Sequence, residues 1–363
     1  MLASFPVSEI SLPLVTSYAS CAMTPVCLTL TPCIEQPKAL NVSKPHRSLI
    51  VGLGRIGQEL DYSLDNRLFQ QTHASAYHSH PAFQLVGGVD NEHAKRQQFE
   101  QKYSAPSFDS VDSAMSQLNP SVVSVATPTG SHLHIFKSLL PHKPQAVLLE
   151  KPIAPTAVEA RQLLTLAADN QIAVMVNYVR RYEPGTQQLK TQLDNGLIGV
   201  INKGVVYYSN GIRNNGTHFI DLLMYLLGPA RYVCKTIDGR AITVSDAMDS
   251  EPDLLIKFSD VPVHFIALPH EFFPENSLRL NGSKGVVNYD QNGITFQNTE
   301  PLPAMRNSFI LEKEKHVIRT DFNRYQFHVL NAFEKILADS ALLNESNANA
   351  SQEVIALLEA ADG

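Results

Sequence analysis

Residues 213–221 read RNNGTHFID and run straight into the apolar stretch LLMYLLG. His218 stands in it, one helical turn beyond Asn214. An imidazole with an ordinary pKa of about 6.5 can take or give a proton near neutrality. A lone histidine is more often a partly buried ring whose nitrogens find local partners. The second candidate is Lys151, near the end of AVLLEKP at 146–152. A lysine at the carboxyl end of a parallel strand points into the crevice where α/β sheets bind ligands, although a plain surface lysine is the better explanation of EKP taken alone. Placed beside an alcohol, its ammonium would offset negative charge growing on the oxygen. The third feature is Gly52, Gly54 and Gly57, spaced G-x-G-x-x-G. Glycine there permits sharp turning and close backbone approach to a pyrophosphate.

These residues need a frame to hold them. SLIVGLGRIG reads as a short strand entering the glycine turn, and Ile56, Leu60, Leu64 and Leu68 predict one face of a following helix. THASAYHSHP at 72–81 reads as a polar loop, and FQLVGGVD as a strand ending in Asp90. SVVSVATPT, AVLLEKP and IAVMVNYV are further strands, separated by the helical patterns NEHAKRQQFEQKY, SHLHIFKSLL and TAVEARQLLTLAADNQ. Strands and helices alternating in this way predict βαβ units and a parallel, doubly wound sheet. Beyond about residue 185 short β-like runs follow one another between Gly, Asn, Asp and Pro turns, which predicts an open, largely antiparallel sheet. RNNGTHFIDLLMYLLG reads as a helix inserted early in that half, and helices return at 324–338 and 351–361. The division is an irregular extension at 1–46, a Rossmann-type dinucleotide-binding domain at 47–178, and an α/β domain at 179–363 for substrate and oligomer contacts. Its last helices are candidates to pack back on the first domain.

Asp90 sharpens the glycine motif. A carboxylate ending the strand after the turn can accept hydrogen bonds from ribose hydroxyls and repels a 2′-phosphate, so NAD is favoured over NADP. Asp90 lies 33 residues beyond Gly57, against a usual spacing of about 20, and the loop at 72–81 is taken to absorb the difference.

Composition excludes several classes. The chain has 363 residues, 44% hydrophobic and 18% charged, with net charge −6, as an ordinary globular protein of two domains would. No Lys/Arg run marks a nucleic-acid surface, and no apolar stretch approaches the roughly 18 residues of a membrane helix. The first 46 residues hold six of the 22 prolines and three of the four cysteines, Cys21, Cys27 and Cys33. The first basic residue is Lys38, so the start lacks the basic region of a secretory signal, and a cytoplasmic location is expected. The cysteine spacing does not match the close pairs of zinc sites, and His73, His78 and His80 read as a polar loop, so no metal is expected.

GLGRIG at 52–57, ATPTGSH at 126–132, EKP at 150–152, NYVRRYEP at 177–184 and GTHFID at 216–221 occur in this order. Together they make a chain that resembles the glucose–fructose oxidoreductase / inositol dehydrogenase / MocA family over roughly residues 47 to 361. The resemblance implies a Rossmann domain, a C-terminal α/β domain and a homo-oligomer, dimer or tetramer. It also implies a nicotinamide cofactor and a sugar, sugar-derivative or polyol substrate. It places Gly52, Gly54, Arg55, Ile56 and Gly57, and Ala126, Thr127, Pro128, Thr129 and His132, beside the cofactor, with Glu150, Lys151 and Pro152 on the lysine motif. Lys151 falls on the catalytic lysine, His218 on the catalytic histidine, and Asn177 and Arg180 on a segment near nicotinamide and substrate.

One position departs from the family. Its dehydrogenases commonly carry aspartate four residues before the histidine, where this chain has Asn214. Asparagine can hydrogen-bond a sugar hydroxyl or the imidazole but supplies no charge. Asn214 marks either different substrate contacts with intact chemistry or a drift toward binding without turnover. Asp221 shares the helical face of His218 and could orient the ring or serve as a cap. Arg180 and Arg181 could recognise an acidic group such as a carboxylate or a nucleotide-sugar phosphate, or form a salt bridge. The leading expectation is an NAD(H)-dependent oxidoreductase. The alternatives are a glycosidase using bound NAD transiently and a non-catalytic NAD-binding sensor.

Overall fold

Short apolar runs bounded by turn residues build the first layer. The strands are β1 (His46–Val51), β2 (Phe83–Val89), β3 (Ser107–Phe108), β4 (Val122–Val125), β5 (Ala146–Leu149) and β6 (Ala173–Val176), in a computed structural model that describes residues 44–363 other than 245–246, 272, 340–346 and 363. Cys21, Cys27, Cys33 and most of the extension therefore lie outside the described residues. The six strands pair in parallel in the order β3-β2-β1-β4-β5-β6. Order reverses between β1 and β4, and a crevice at such a switch point is where doubly wound sheets bind ligands.

Alternate residues of each strand feed two cores. Leu49, Val51, Val147 and Leu149 face α3 (Val111–Leu118), α4 (His132–Leu139) and α5 (Ala157–Asp169). Ile50 and Leu148 face the other way, toward α1 (His73–Ser79) and α2 (His93–Tyr103). That period of two is the strand signature, with both faces covered as a parallel sheet requires.

Two local readings are corrected. No helix runs through Ile56, Leu60, Leu64 and Leu68. A single π-type turn covers Arg55–Glu59, and Leu64 and Leu68 are 43% and 61% exposed. Residues spaced strictly by four drift about 40° per step on a helix of 3.6 residues per turn, so they never form a narrow stripe. Asp61, Ser63, Asp65 and Asn66 also favour turns, and the Asp65 carboxylate accepts from the Arg67 amide at 2.9 Å. The helix forms later, where a polar loop was read. Thr72 caps α1 in a reciprocal capping box with Ser75, and buried Asp61 accepts from the Gln71 amide at 2.7 Å and the Thr72 hydroxyl at 2.7 Å. This inserted stretch accounts for the long spacing from Gly57 to Asp90.

The rest of the chain builds a second sheet. Its elements are α6 (Pro184–Asp194), β7 (Ile201–Tyr208), α7 (Thr217–Leu227), β8 (Ala230–Ile237), β9 (Ala241–Val244), β10 (Ala247–Ser250), β11 (Asp253–Phe258) and β12 (Val261–Ala267). After them come β13 (Ser277–Gly282), β14 (Gly285–Asp290), β15 (Gly293–Pro301), β16 (Phe309–Leu311), β17 (His316–Ile318), α8 (Tyr325–Ala338) and α9 (Ala348–Asp362). Nine strands join as β16-β15-β14-β13-β7-β12-β11-β8, with β17 also on β15. Only β7–β12 is parallel, while β9 and β10 make a separate hairpin.

One face of this sheet, including Val206, Phe265 and Leu280, is covered by Leu189 of α6 and by Phe219, Leu222, Leu223 and Leu226 of α7. Each fully buried Leu or Phe contributes about 1.5–3 kcal/mol. The last helices tie the layers together. Val329, Leu330 and Phe333 of α8 enter the core on the first sheet. In α9, Ile355 joins the first-sheet core while Val354 and Leu358 join the second. The packing fixes the carboxyl end of β5 against the start of α7. Among the described residues no helix is long and apolar enough to cross a membrane.

Candidate active site

The three glycines of the turn have different reasons to be glycine. Gly52 has φ +97°, and a Cβ on it would lie 2.7 Å from the Ala126 carbonyl oxygen. A Cβ on Gly57 would lie 2.1 Å from the Gly52 carbonyl oxygen, so the two limbs of the turn touch. Neither tolerates a side chain. Gly54 is unlike them: the nearest atom to its missing Cβ is Lys95 Nζ at 3.9 Å. Its side-chain position meets only the tip of the Lys95 side chain, at contact distance, so backbone atoms do not crowd it and an anion such as a pyrophosphate could approach. Ile56 is partly buried and Arg55 is exposed. Asp90 stands at the rim. Its Oδ2 accepts from the Leu53 amide at 2.8 Å and its Oδ1 from the Glu92 amide at 2.9 Å.

The next loop, Ala126–Thr129, is held from behind. Ala126 N donates to Val51 O at 2.7 Å, and Ser131 Oγ donates to Thr127 Oγ1 at 2.8 Å. The His132 ring is wedged between Thr127 O, 2.9 Å from Nε2, and Ile153 O, 3.2 Å from Nδ1. Burial lowers its pKa below the usual histidine value. His132 thus ties the loop to the segment after EKP, and its ring nitrogens do not face the cleft. Pro128 precedes a short 3-10 turn at Thr129–Ser131.

At the end of β5 the two residues before Pro152 enter opposite clusters. The Glu150 carboxylate faces inward: Oε1 is 3.0 Å from His73 Nε2 and accepts from Asn177 Nδ2 at 2.5 Å. Asn177 Nδ2 also lies 3.0 Å from Gln326 Oε1, and Gln326 Nε2 lies 3.3 Å from His73 Nδ1, closing a ring of four buried side chains. Burial alone would raise the Glu150 carboxyl. The His73 and Asn177 contacts and the Lys151 charge outweigh it and hold the group below its ordinary range. Lys151 faces the other way. Its Nζ donates to Asn214 O at 2.6 Å and to Asn214 Oδ1 at 3.1 Å.

His218 lies on the first turn of α7, its ring edge-on to Tyr178 at 5.8 Å between centroids. Burial first, then the charges of Lys151 and Arg180, push its pKa well below 6.5, so the ring is neutral at pH 7. Its Nδ1 has no hydrogen-bond partner among the described residues, so no protein acceptor locks the tautomer. Lys151 is lowered to about 8, chiefly by burial, with Glu150 and Asp249 acting against that and Arg180 with it. Lys151, Arg180, Asn214 and His218 each keep part of their surface accessible while densely surrounded, the signature of groups lining a cleft.

Comparison with known proteins finds similarity over the first domain. Residues 46–178 match the model of the oxidoreductase family with an NAD-binding Rossmann fold. Over this segment the chain is similar to the glucose–fructose oxidoreductase / inositol dehydrogenase / MocA family.

D-glucoside 3-dehydrogenase of Escherichia coli (strain K12) is 27% identical over 210 residues, 54% of this chain and 56% of that protein. Inositol 2-dehydrogenase of Rhizobium meliloti (strain 1021) is 24% identical over 193 residues, 49% of this chain and 54% of that protein. The matches thus span little more than half the length of these relatives. The fold extends further. The structure of the WlbA dehydrogenase from Bordetella pertussis in complex with NADH and UDP-GlcNAcA superposes with a TM-score of 0.67 at 19% identity, over 88% of this chain and 95% of that one.

Within this site the structure narrows four readings. Arg181 is not free for a ligand: its Nε and Nη2 donate to Asp221 Oδ2 and Oδ1 at 2.9 and 2.6 Å, the salt-bridge alternative. Asp221 is therefore held by Arg181 and does not orient His218. Glu150 and the Asn177 Nδ2 are spent on the buried ring, while Asn177 Oδ1 has no partner among the described residues. His73 and His80 of the supposed polar loop are buried. His73 faces Glu150, His80 lies 3.1 Å from Asn331 Oδ1, and His78 meets the Tyr103 ring edge-on, so the three do not converge. Among the described residues no group of three His, Cys, Asp or Glu side chains could hold a metal.

One residue escaped sequence reasoning. Asp249 of β10 accepts from the amides of Arg213 at 3.2 Å and Asn214 at 3.0 Å. It brings a carboxylate behind position 214, where the family aspartate is missing. Only the fold of the β9–β10 hairpin delivers it, and no local motif announces it. His73 and Gln326, which lie 253 positions apart, were equally invisible.

Proposed function

We propose that this protein is an NAD(H)-dependent oxidoreductase. It would transfer a hydride between nicotinamide and a secondary alcohol or ketone carbon of a sugar, sugar derivative or cyclic polyol. The observation that carries the reading is the pairing of a neutral imidazole, His218, with a fixed ammonium, Lys151 on Asn214, after β5 of the same parallel sheet in which β1 runs into the glycine turn. The activities of the family relatives named above support the substrate class.

The residues present fit the cofactor. The Gly52–Gly57 turn with Arg55 and Ile56 would take the pyrophosphate, Asp90 the ribose hydroxyls, and Ala126–Thr129 with Lys151 and Pro152 the nicotinamide half. Asp90 favours NAD over NADP, since a carboxylate with both oxygens anchored to the backbone opposes a 2′-phosphate. Nicotinamide, when bound, supplies the redox centre.

The chain supplies positioning and proton chemistry. His218 is neutral at pH 7 and so can accept the hydroxyl proton of an alcohol, and in the reducing direction it returns it. Lys151 donates a hydrogen bond to the same oxygen and offsets its developing charge. Asn214 holds the ammonium through two oxygens, and Asp249 braces Asn214 through the backbone. A neutral amide at 214 is thus compatible with turnover. The uncovered face of the nine-stranded sheet, with Tyr207 and Val317 exposed, is the surface for a dimer or tetramer.

The test is absorbance at the NADH band with NAD and a panel of sugars, polyols and their acids. Wild type should reduce NAD with at least one member, and Lys151→Ala should lower kcat/KM by about 10²–10³-fold. A Lys151→Ala variant as fast as wild type would remove the assignment.

A further inference from the structure

Arg180 has no anion. It follows β6 on the short turn Val179–Tyr182, and its Cζ sits over the Phe219 ring, 4.8 Å from the centroid. No hydrogen bond or ion pair to its guanidinium exists among the described residues. The adjacent Arg181, by contrast, is held by both oxygens of Asp221. The other carboxylates around the cleft are equally committed. Glu150 is bound by His73 and Asn177, and Asp249 by the amides of Arg213, Asn214 and Ser250. Tyr289 and Tyr325, which also act on Arg180, are neutral phenols: burial pushes Tyr289 up to about 12 and raises Tyr325 as well.

Among the described residues the cleft therefore holds two cations, Lys151 and Arg180, and the one carboxylate acting on Arg180, Asp221, is already bound by Arg181. An enclosed charge with no partner is costly, and a fold retains one where a ligand completes the pair.

We infer that the substrate carries a carboxylate and that Arg180 binds it, while Lys151 and His218 receive the hydroxyl that reacts. The inference rests on the oxidoreductase reading for the identity of the reacting group, but the anion site stands on Arg180 alone. A guanidinium presents a planar fork that matches the two oxygens of a carboxylate. Phe219 covers one face of that plane and leaves the N–H edges for the ligand. A phosphate dianion would ask for a second cation, and Lys151 is assigned to the hydroxyl that reacts. The substrate class is then a uronic, aldonic or related hydroxy acid rather than a neutral polyol.

The experiment is isothermal titration of the NAD-loaded protein with matched sets differing in one group: glucuronate, glucose and glucose 6-phosphate, and the galactose and gluconate counterparts. Wild type should bind at least one acid about 10- to 100-fold more tightly than its neutral partner, the span of a charge-assisted hydrogen-bond pair. Arg180→Gln should bring that ratio close to one, and Arg180→Lys, which keeps the charge without the fork, should restore part of it.

Melting temperature controls for folding, and Arg180→Gln should melt no lower than wild type because no protein partner is orphaned. Binding of no acid, equal binding of acid and neutral sugar, preference for the phosphate, or a ratio unchanged in Arg180→Gln would each overturn the inference. NADH formation is read in parallel. Acid preference without NADH leaves the anion site standing and defeats the oxidoreductase reading, whereas NADH without acid preference does the reverse.

Discussion

Glu150 and Lys151 are neighbours in sequence and opposites in structure. Beneath the strand end, His73, Glu150, Asn177 and Gln326 form a ring in which each buried side chain bonds another and only Asn177 Oδ1 is left without a partner among the described residues. Above it, the cluster of Lys151, Arg180 and His218 is left incomplete. Arg180 has no anion, and His218 Nδ1 has no partner among the described residues. A closed polar network stabilises and positions, while one with open valences holds free energy in reserve for a ligand. Arg180 and Arg181 repeat the contrast over a single peptide bond.

Substitutions separate the two clusters by readout. The largest effect should come from the open one. His218→Ala should lower kcat/KM by about 10²–10⁴-fold, as expected for loss of a proton-transfer group. It should leave the melting temperature near that of wild type, since the ring has an unsatisfied nitrogen; steady-state kinetics and calorimetry together check this. Next comes Asp221→Ala, which strips Arg181 of its buried partner and should cost about 3–5 kcal/mol in denaturant unfolding. A loss under 1 kcal/mol would mean that the pair is not a stabilising element.

The two ends of the glycine turn make the third contrast. Gly52→Ala forces a side chain to φ +97° and into the Ala126 carbonyl, so it should destabilise the fold. Gly54→Ala meets no protein atom closer than 3.9 Å, so it should leave stability alone and weaken NAD binding about tenfold or more, as titration would show.

The smallest effect is on pH dependence. Lys151 is lowered to about 8, so its ammonium is present below that pH and lost above it. The kcat/KM profile should therefore fall about tenfold per pH unit above 8. The His218 limb should lie on the acid side, below 6.5, because only the neutral ring accepts a proton. A profile flat to pH 10 would show that the Lys151 charge is not needed.

How much of this could be read from the chain depends on how local each interaction is. The parallel sheet, the glycine turn, EKP and GTHFID are contiguous patterns whose physics lies within a few residues, and the structure brings Lys151, Asn214 and His218 together. Arg180 and Arg181 look alike in NYVRRYEP, and only the approach of Asp221 on α7 tells them apart. Asp249 and Gln326 reach the site through chain reversals that no local spacing encodes. The helix expected on Ile56 to Leu68 failed because the apolar period was a poor match to 3.6. The loop expected at 72–81 failed because Asp61, eleven residues upstream of Thr72, supplies cap contacts that a local reading does not see.

The central claim is hydride transfer at the Lys151–His218 cleft. Its most direct test is to follow deuterium from a panel of substrates labelled at the oxidised carbon into NADH, by mass spectrometry, for wild type and His218→Ala. The account predicts one deuterium per NADH formed by wild type and little or no labelled NADH from the variant on the same timescale. NADH without the label, or equal labelling by both proteins, would contradict it.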